Sequence, residues 1–306
     1  MTISNSASPS DIEAQKSPPV KTESIPQKDG VGEDVPLIQP ACTPGLYGYD
    51  ETPEIIRSPY LLTGYRLYYS WGQCFRSMFQ VHNETVNILT HFFGGIFFLI
   101  MMIYSATLTA RVAVAQCIYC FAACTLLFAS TAYHTFSVDL PKYTLFLRFD
   151  LSSICVLIAL SYVPPVSFGF LCYPTLVTIY LVIIIVLAAC ASVVCILPCF
   201  LPCRVLRASL LLVVGWFALF PVGNAVYLYG WAGAWPLASR LLIMGGFYSV
   251  GCFFYLSRIP ERFAPGKFDN WGHSHQLWHF FILAAAIYHY WAMISLYADQ
   301  AAIGRC

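Results

Sequence analysis

Charge is what this sequence has least of. Only 10% of its 306 residues are Asp, Glu, Lys or Arg, whereas 58% are hydrophobic and the mean hydropathy is +0.67. A soluble domain covers its surface with about 25% charged residues, so a water-soluble enzyme is excluded. An excess of positive charge is also missing. The formal net charge is +1, which leaves no basic footprint for nucleic acid. The thirteen cysteines are odd in number and show no regular framework, which argues against a disulfide scaffold. Neither an Asp-Arg-Tyr nor an Asn-Pro-x-x-Tyr signature of rhodopsin-like receptors occurs. What remains is a polytopic membrane protein.

The scarce charge is unevenly spread. Nine of the fifteen acidic residues lie between Asp11 and Glu54, in a Ser-, Pro-, Lys- and Glu-rich stretch. Such a stretch buries too little apolar surface to offset its ordering entropy, so residues 1–58 are expected to form a disordered cytoplasmic tail. No apolar run follows a basic start there, so no cleavable signal peptide is expected. Residues 59–84 mix aromatics with Arg66 and Arg76 and read either as an interfacial juxtamembrane segment or as an ordinary linker. The transmembrane domain is expected over 85–297, with a short tail at 298–306.

Seven apolar stretches of roughly 20 residues are long enough to span a bilayer. They lie near Thr85–Ala106, Ala113–Phe136, Tyr143–Val166, Thr175–Leu197, Val205–Leu228, Leu237–Leu256 and Ser274–Leu296. The third and fourth are separated only by Pro164, Pro165 and Pro174. An all-α seven-helix transmembrane bundle is therefore expected. With the N-terminus cytoplasmic and the C-terminus extracytoplasmic, the flanking Lys and Arg residues divide ten to three in favour of the cytoplasmic side, as the positive-inside rule requires.

Ionisable groups at membrane depth are expensive and point to function. Glu84, Asn87 and His91 open the first span; Ser130 and His134 close the second; Asp150 lies early in the third; His275 and His279 open the seventh. Glu84 and Asp150 are the only carboxylates bordering the hydrocarbon core. Ser130 and His134 are four residues apart, as are His275 and His279, so each pair shares one helix face. In the assigned topology His134, Asp150, His275 and His279 converge in the cytoplasmic half of the membrane. Three imidazoles and a carboxylate suit a catalytic Zn²⁺ with an open position for water. Hydrogen-bonded histidines at helix interfaces are the plainer alternative.

Weaker expectations attach to other residues. Glu84, Asn87 and His91 read either as support behind the site's ligands or a helix lock, or, more simply, as a satisfied first-turn cluster with Glu84 favourably placed at a helix N-terminus. His273 is expected at the interface, His289 as a hydrogen-bonder in the bundle, and His82 at the surface. Cys117 and Cys120 are expected to behave as small hydrophobes. Cys195, Cys199 and Cys203 are juxtamembrane and open to palmitoylation. The sequon at Asn83 faces the cytoplasm in this topology and should be unused.

These residues also carry a resemblance. The segments Leu62-Thr-Gly-Tyr-Arg66, Asn83-Glu-Thr-Val-Asn87 with His91, Ser130-x-x-x-His134 with Asp150, Pro260-Glu-Arg262 and Ser274-His-Gln-Leu-Trp-His279 together resemble the progestin and adipoQ receptor family. That family includes the adiponectin receptors and is related to the haemolysin III proteins. The resemblance spans about Pro59 to Tyr297 and looks nearer members three and four. It implies a seven-helix bundle with a cytoplasmic N-terminus, Zn²⁺ held by His134, His275 and His279, and Asp150 near the metal's water; in a hydrolytic mechanism Ser130, one turn before His134, would orient a ligand, the water or the substrate carbonyl. It also implies ceramidase-like hydrolysis of a lipid amide, with the bilayer as surroundings and a ceramide-like lipid or small lipophilic ligand as partner. The other readings are a receptor whose zinc is structural and a non-catalytic scaffold that recruits a cytoplasmic protein through residues 1–58. The host membrane would be the plasma membrane or the Golgi.

Overall fold

A computed structural model describes residues 43–302. Residues 1–42, most of the expected tail, lie outside the described residues. Within that tail, Gly45–Tyr47 forms strand β1 and pairs antiparallel with β2, Tyr65–Leu67, from the juxtamembrane segment. Neither strand exceeds three residues, too few for an alternating pattern to announce them. A short helix follows, α1 (Trp71–Ser77). Ser70 and Gln73 close its start with a reciprocal capping box, which satisfies two backbone donors.

The long helices are α2 (Thr85–Ser105), α3 (Ala110–Phe136), α4 (Leu140–Ser161), the short continuation α5 (Val163–Gly169), α6 (Pro174–Ile196), α7 (Arg204–Trp216), α8 (Leu219–Ser257) and α9 (Ser274–Ala302). Proline at the starts of α4, α5 and α6 costs nothing there, because the first helical turn has unpaired N–H groups anyway. Among the described residues, six helical stretches are long and apolar enough to cross a membrane. One of them, Arg204–Ser257, runs for 54 residues. As an unbroken helix it would measure about 80 Å, more than twice the roughly 30 Å of hydrocarbon it would have to cross. Gly230 breaks it: its φ of 69° and ψ of 172° leave the helical region, in a conformation that glycine alone adopts readily.

Two apolar clusters hold the helices together. One joins α2, α3, α4 and α9 through Phe98, Tyr119, Leu127, Leu157 and Tyr290. The other joins α4 to α8 with the far half of α9 through Phe168, Ile184, Leu237 and Met293. Large apolar side chains such as Ile103, Val213, Phe220 and Tyr227 are left outside, each more than 60% exposed. An aqueous surface would not carry so many; a lipid-facing one does. Small residues let helices close up: a Cβ on Gly251 of α8 would come within 2.7 Å of Phe281 and 2.9 Å of Trp278 on α9.

Candidate metal centre

α3 presents His134 in its last turn and Ser130 one turn earlier. The end of α3 is fixed from outside the bundle. Arg66 of β2 is 2% exposed; its guanidinium donates to the His134 carbonyl at 2.7 Å and to Ser77 Oγ at 2.6 Å. A cation capping a helix C-terminus is favourable for the unpaired carbonyls there. Burial pushes the Arg66 pKa down from its ordinary value, while the Glu84 carboxylate opposes that shift.

α9 presents His275 and His279 in its first two turns, and its start is equally fixed. Glu261 accepts hydrogen bonds from the Ser274 backbone N–H at 2.7 Å and from the Ser274 hydroxyl, placing a carboxylate at the positive end of the helix. Gln276 bonds back to Gly272 N–H at 2.5 Å and to the Asn270 carbonyl at 2.9 Å. His273 is buried and reaches the Asn83 carbonyl at 3.0 Å. It therefore ties the α8–α9 loop to the start of α2.

These two helix ends bring the three histidines together. His134 Nε2 and His275 Nε2 are 3.3 Å apart, and one ring nitrogen from each of His134, His275 and His279 lies within 4.8 Å of the others. A tetrahedral Zn²⁺ with bonds of about 2.0–2.1 Å holds its nitrogens roughly 3.3–3.4 Å apart. Two of the three outer nitrogens are engaged. His134 Nδ1 meets Glu84 Oε2 at 2.7 Å; His279 Nδ1 meets the Asn87 carbonyl at 3.2 Å. Donation through Nδ1 leaves Nε2 as the lone-pair nitrogen, the tautomer a metal ligand needs. The residues present thus fit a metal ion.

The polar stripe at the start of α2 belongs to this centre. Glu84 also accepts from Asn87 Nδ2 at 2.6 Å. His91 stacks on His279 with ring centroids 3.7 Å apart and planes 14° apart. Asp150 of α4 and Ser130 of α3 line the same cavity as the histidines. The cavity measures about 300 Å³. A second, apolar cavity of about 100 Å³ shares Leu126, Ile154, Leu211, Trp278 and Ile282 with it.

Three expectations change. His82 is 1% exposed rather than at the surface: its Nε2 meets the Ser77 carbonyl at 3.0 Å and its Nδ1 accepts from Glu84 N–H at 3.0 Å. Burial, with Arg66 nearby, pushes its pKa down to about 4. His273 is a buried link rather than an interfacial residue. His289 packs its ring on Tyr119, 4.5 Å between centroids. Sequence reasoning missed the role of Arg66, which entered as a juxtamembrane charge and as the end of the Leu62–Arg66 segment. It also missed Tyr255, whose ring centroid lies 5.4 Å from that of His275.

A family model described as haemolysin-III related matches residues 79–290. The adiponectin receptor protein of Drosophila melanogaster is 35% identical over 231 residues, 72% of this chain and 52% of that protein. Progestin and adipoQ receptor family member 3 of Homo sapiens is 31% identical over 273 residues, 83% of this chain and 86% of that protein. Heptahelical transmembrane protein 1 of Arabidopsis thaliana is 31% identical over 277 residues, 81% of this chain and 80% of that protein. The chain thus spans about half the length of the fly protein and most of the other two.

Proposed function

The chain belongs to the progestin and adipoQ receptor family of haemolysin-III-related membrane proteins, and on that premise we propose that it is a signalling receptor with zinc-dependent lipid amide hydrolase chemistry of the ceramidase kind. The observation that carries this reading is the histidine triad, with the outer nitrogens of His134 and His279 engaged, sharing one cavity with Asp150 and Ser130. His134, His275 and His279 would hold the ion. When bound, Zn²⁺ supplies Lewis acidity, polarising an amide carbonyl and acidifying water.

The chain's own groups do the rest. Asp150 takes a proton from the attacking water at its carboxylate and delivers it to the nitrogen of the leaving amine. Ser130 donates to Asp150 and keeps it turned into the cavity. Glu84 holds the His134 ring. The adjoining apolar cavity takes the acyl chain and excludes water from it. The products are a fatty acid and an amine.

The break at Gly230 supports counting Arg204–Ser257 as two passes, hence seven, with the N-terminus cytoplasmic as the ten-to-three division of basic residues requires. Residues 1–58 would then be available to a cytoplasmic partner, in the plasma membrane or the Golgi. A second reading has zinc as a strut only, because the triad joins α3 to α9. Metal analysis and a ceramide-hydrolysis assay on purified wild type and His275→Ala test the proposal. Zinc and hydrolysis in the wild type, both lost in the variant, are expected. Zinc without hydrolysis of any ceramide favours the strut.

A further inference from the structure

The metal cavity has a cationic wall that the hydrolysis reading does not use. Arg204 and Arg207 open α7, and Arg258 ends α8; all three line the cavity that contains the histidines. Arg207 is only 8% exposed, so it is not an ordinary surface charge reaching for water or for bilayer headgroups. Arg204 lies over the Tyr255 ring, 3.7 Å from guanidinium carbon to centroid, and that ring is the neighbour of His275. The cationic wall and the metal centre therefore share Tyr255.

None of the three has a carboxylate partner among the described residues. The ion pairs found there are Glu84–His134, Asp139–Lys142 and Asp299–Arg240. Arg204 and Arg207 each donate to a neutral backbone carbonyl, of Tyr255 and Phe200 respectively, and the buried Nε of each has no acceptor. Of the nearby carboxylates, Glu84 is taken by His134 and Asn87, Glu261 caps α9 at Ser274, and Asp150, which lines the same cavity, makes no ion pair with any of the three. Burial and the like charge of Arg204 push the Arg258 pKa down from its ordinary value.

The backbone adds to the electrostatic oddity. Two arginines stand at the N-terminus of α7, the end whose dipole disfavours cations and favours anions. Arg258 holds a left-handed conformation, φ 55° and ψ 42°, uncommon for a residue with a Cβ and of a kind that concentrates at functional sites. Uncompensated guanidinium groups converging on one cavity match an anion with several acceptor oxygens.

Resting on the proposed use of the same cavity, we infer that Arg204, Arg207 and Arg258 form a phosphate-binding subsite, and that the cavity takes a lipid whose headgroup carries a phosphate. Three cations around one cavity suit a tetrahedral, doubly charged phosphomonoester better than a carboxylate. The lipid's chain would enter the apolar cavity beyond Trp278 and Ile282.

The purified full chain, in nanodiscs of zwitterionic lipid, is titrated with lysophosphatidate, with monoacylglycerol of the same chain length, and with inorganic phosphate. Lysophosphatidate should bind about tenfold or more tightly than monoacylglycerol, and Arg207→Gln or Arg258→Gln should each remove about tenfold, the worth of one charge-assisted contact. Lys267→Gln, at an exposed site, should change nothing. Equal affinity for the charged and neutral lipids overturns the inference, and so does an equal loss in Lys267→Gln, which marks general surface attraction. Full displacement of the lipid by equimolar inorganic phosphate overturns the lipid part and assigns the site to the free anion. If Arg207→Gln does not fold, the wild-type preference and its decline with salt still decide. The titration is repeated on His275→Ala: phosphate preference retained there, whatever happens to zinc and hydrolysis, separates this inference from the hydrolase reading.

Discussion

Glu84 Oε2 and His134 Nδ1 lie 2.7 Å apart across the gap between α2 and α3. The pair turns a residue that the sequence suggested as a helix-start carboxylate into the group that orients a candidate metal ligand. A carboxylate on the outer nitrogen raises the basicity of the inner one and fixes the ring.

Glu84→Gln is therefore expected to weaken zinc binding by about 10- to 100-fold, although Glu84 touches no metal in this arrangement. Competition with a chelator of known affinity measures it. Unchanged affinity would mean that Arg66 and the helix end alone hold the ring.

Asp150→Asn should separate binding from chemistry. The three histidines are untouched, so zinc should stay, whereas loss of the proton-transferring carboxylate should lower hydrolysis by about 10²–10⁴-fold. Ser130→Ala should cost less, because the hydroxyl only orients Asp150. Turnover with zinc content measured on the same samples checks both. A full-rate Asp150→Asn protein would remove Asp150 from the mechanism.

Much of this centre was legible in the sequence because its signals are local. Four-residue spacing sets His275 above His279, and Ser130 above His134, on any helix, and a bilayer forces apolar segments to be helical. The ends of α2, α3, α6 and α9 accordingly fall within a few residues of the apolar runs. What was not legible depends on distant contacts. Arg66 is a core residue only because His134, 68 positions away, offers its carbonyl. His82 reads as polar and adjacent to charge, yet the α1–α2 turn closes over it. The mouth of the cavity draws Arg204 and Arg258 from separate helices, and as loop charges they were read only for orientation.

His82 gives the protein an acid-sensitive joint. Its pKa falls from the ordinary 6.5 to about 4 on folding. The unfolded chain therefore binds more protons between those values, so stability is full above pH 6.5 and lost as pH falls toward 4. A shift of that size is worth about 3 kcal/mol at the acid end. Thermal unfolding in detergent between pH 7.5 and 4.5 should show a falling Tm, and His82→Gln should flatten the slope. Other buried histidines contribute too, so the difference in slope between the two proteins is the quantity to read. Parallel slopes would mean that His82 charges without cost.

Zinc removal should loosen the contact between α3 and α9 specifically. His134 comes from one helix and His275 and His279 from the other, so an ion bound to all three is a cross-link absent from the unfolded chain. Ligand linkage then stabilises by about 4 kcal/mol when free zinc exceeds its Kd 1,000-fold. Chelation should lower Tm, and added zinc should restore it in a concentration-dependent way. His279→Ala should abolish most of that response, whereas Lys267→Gln should leave it intact. Hydrogen exchange should locate the loosening at residues 130–136 and 274–280, the helix ends that carry the ligands. A uniform increase in exchange over all helices would instead mean that the metal acts on the bundle as a whole.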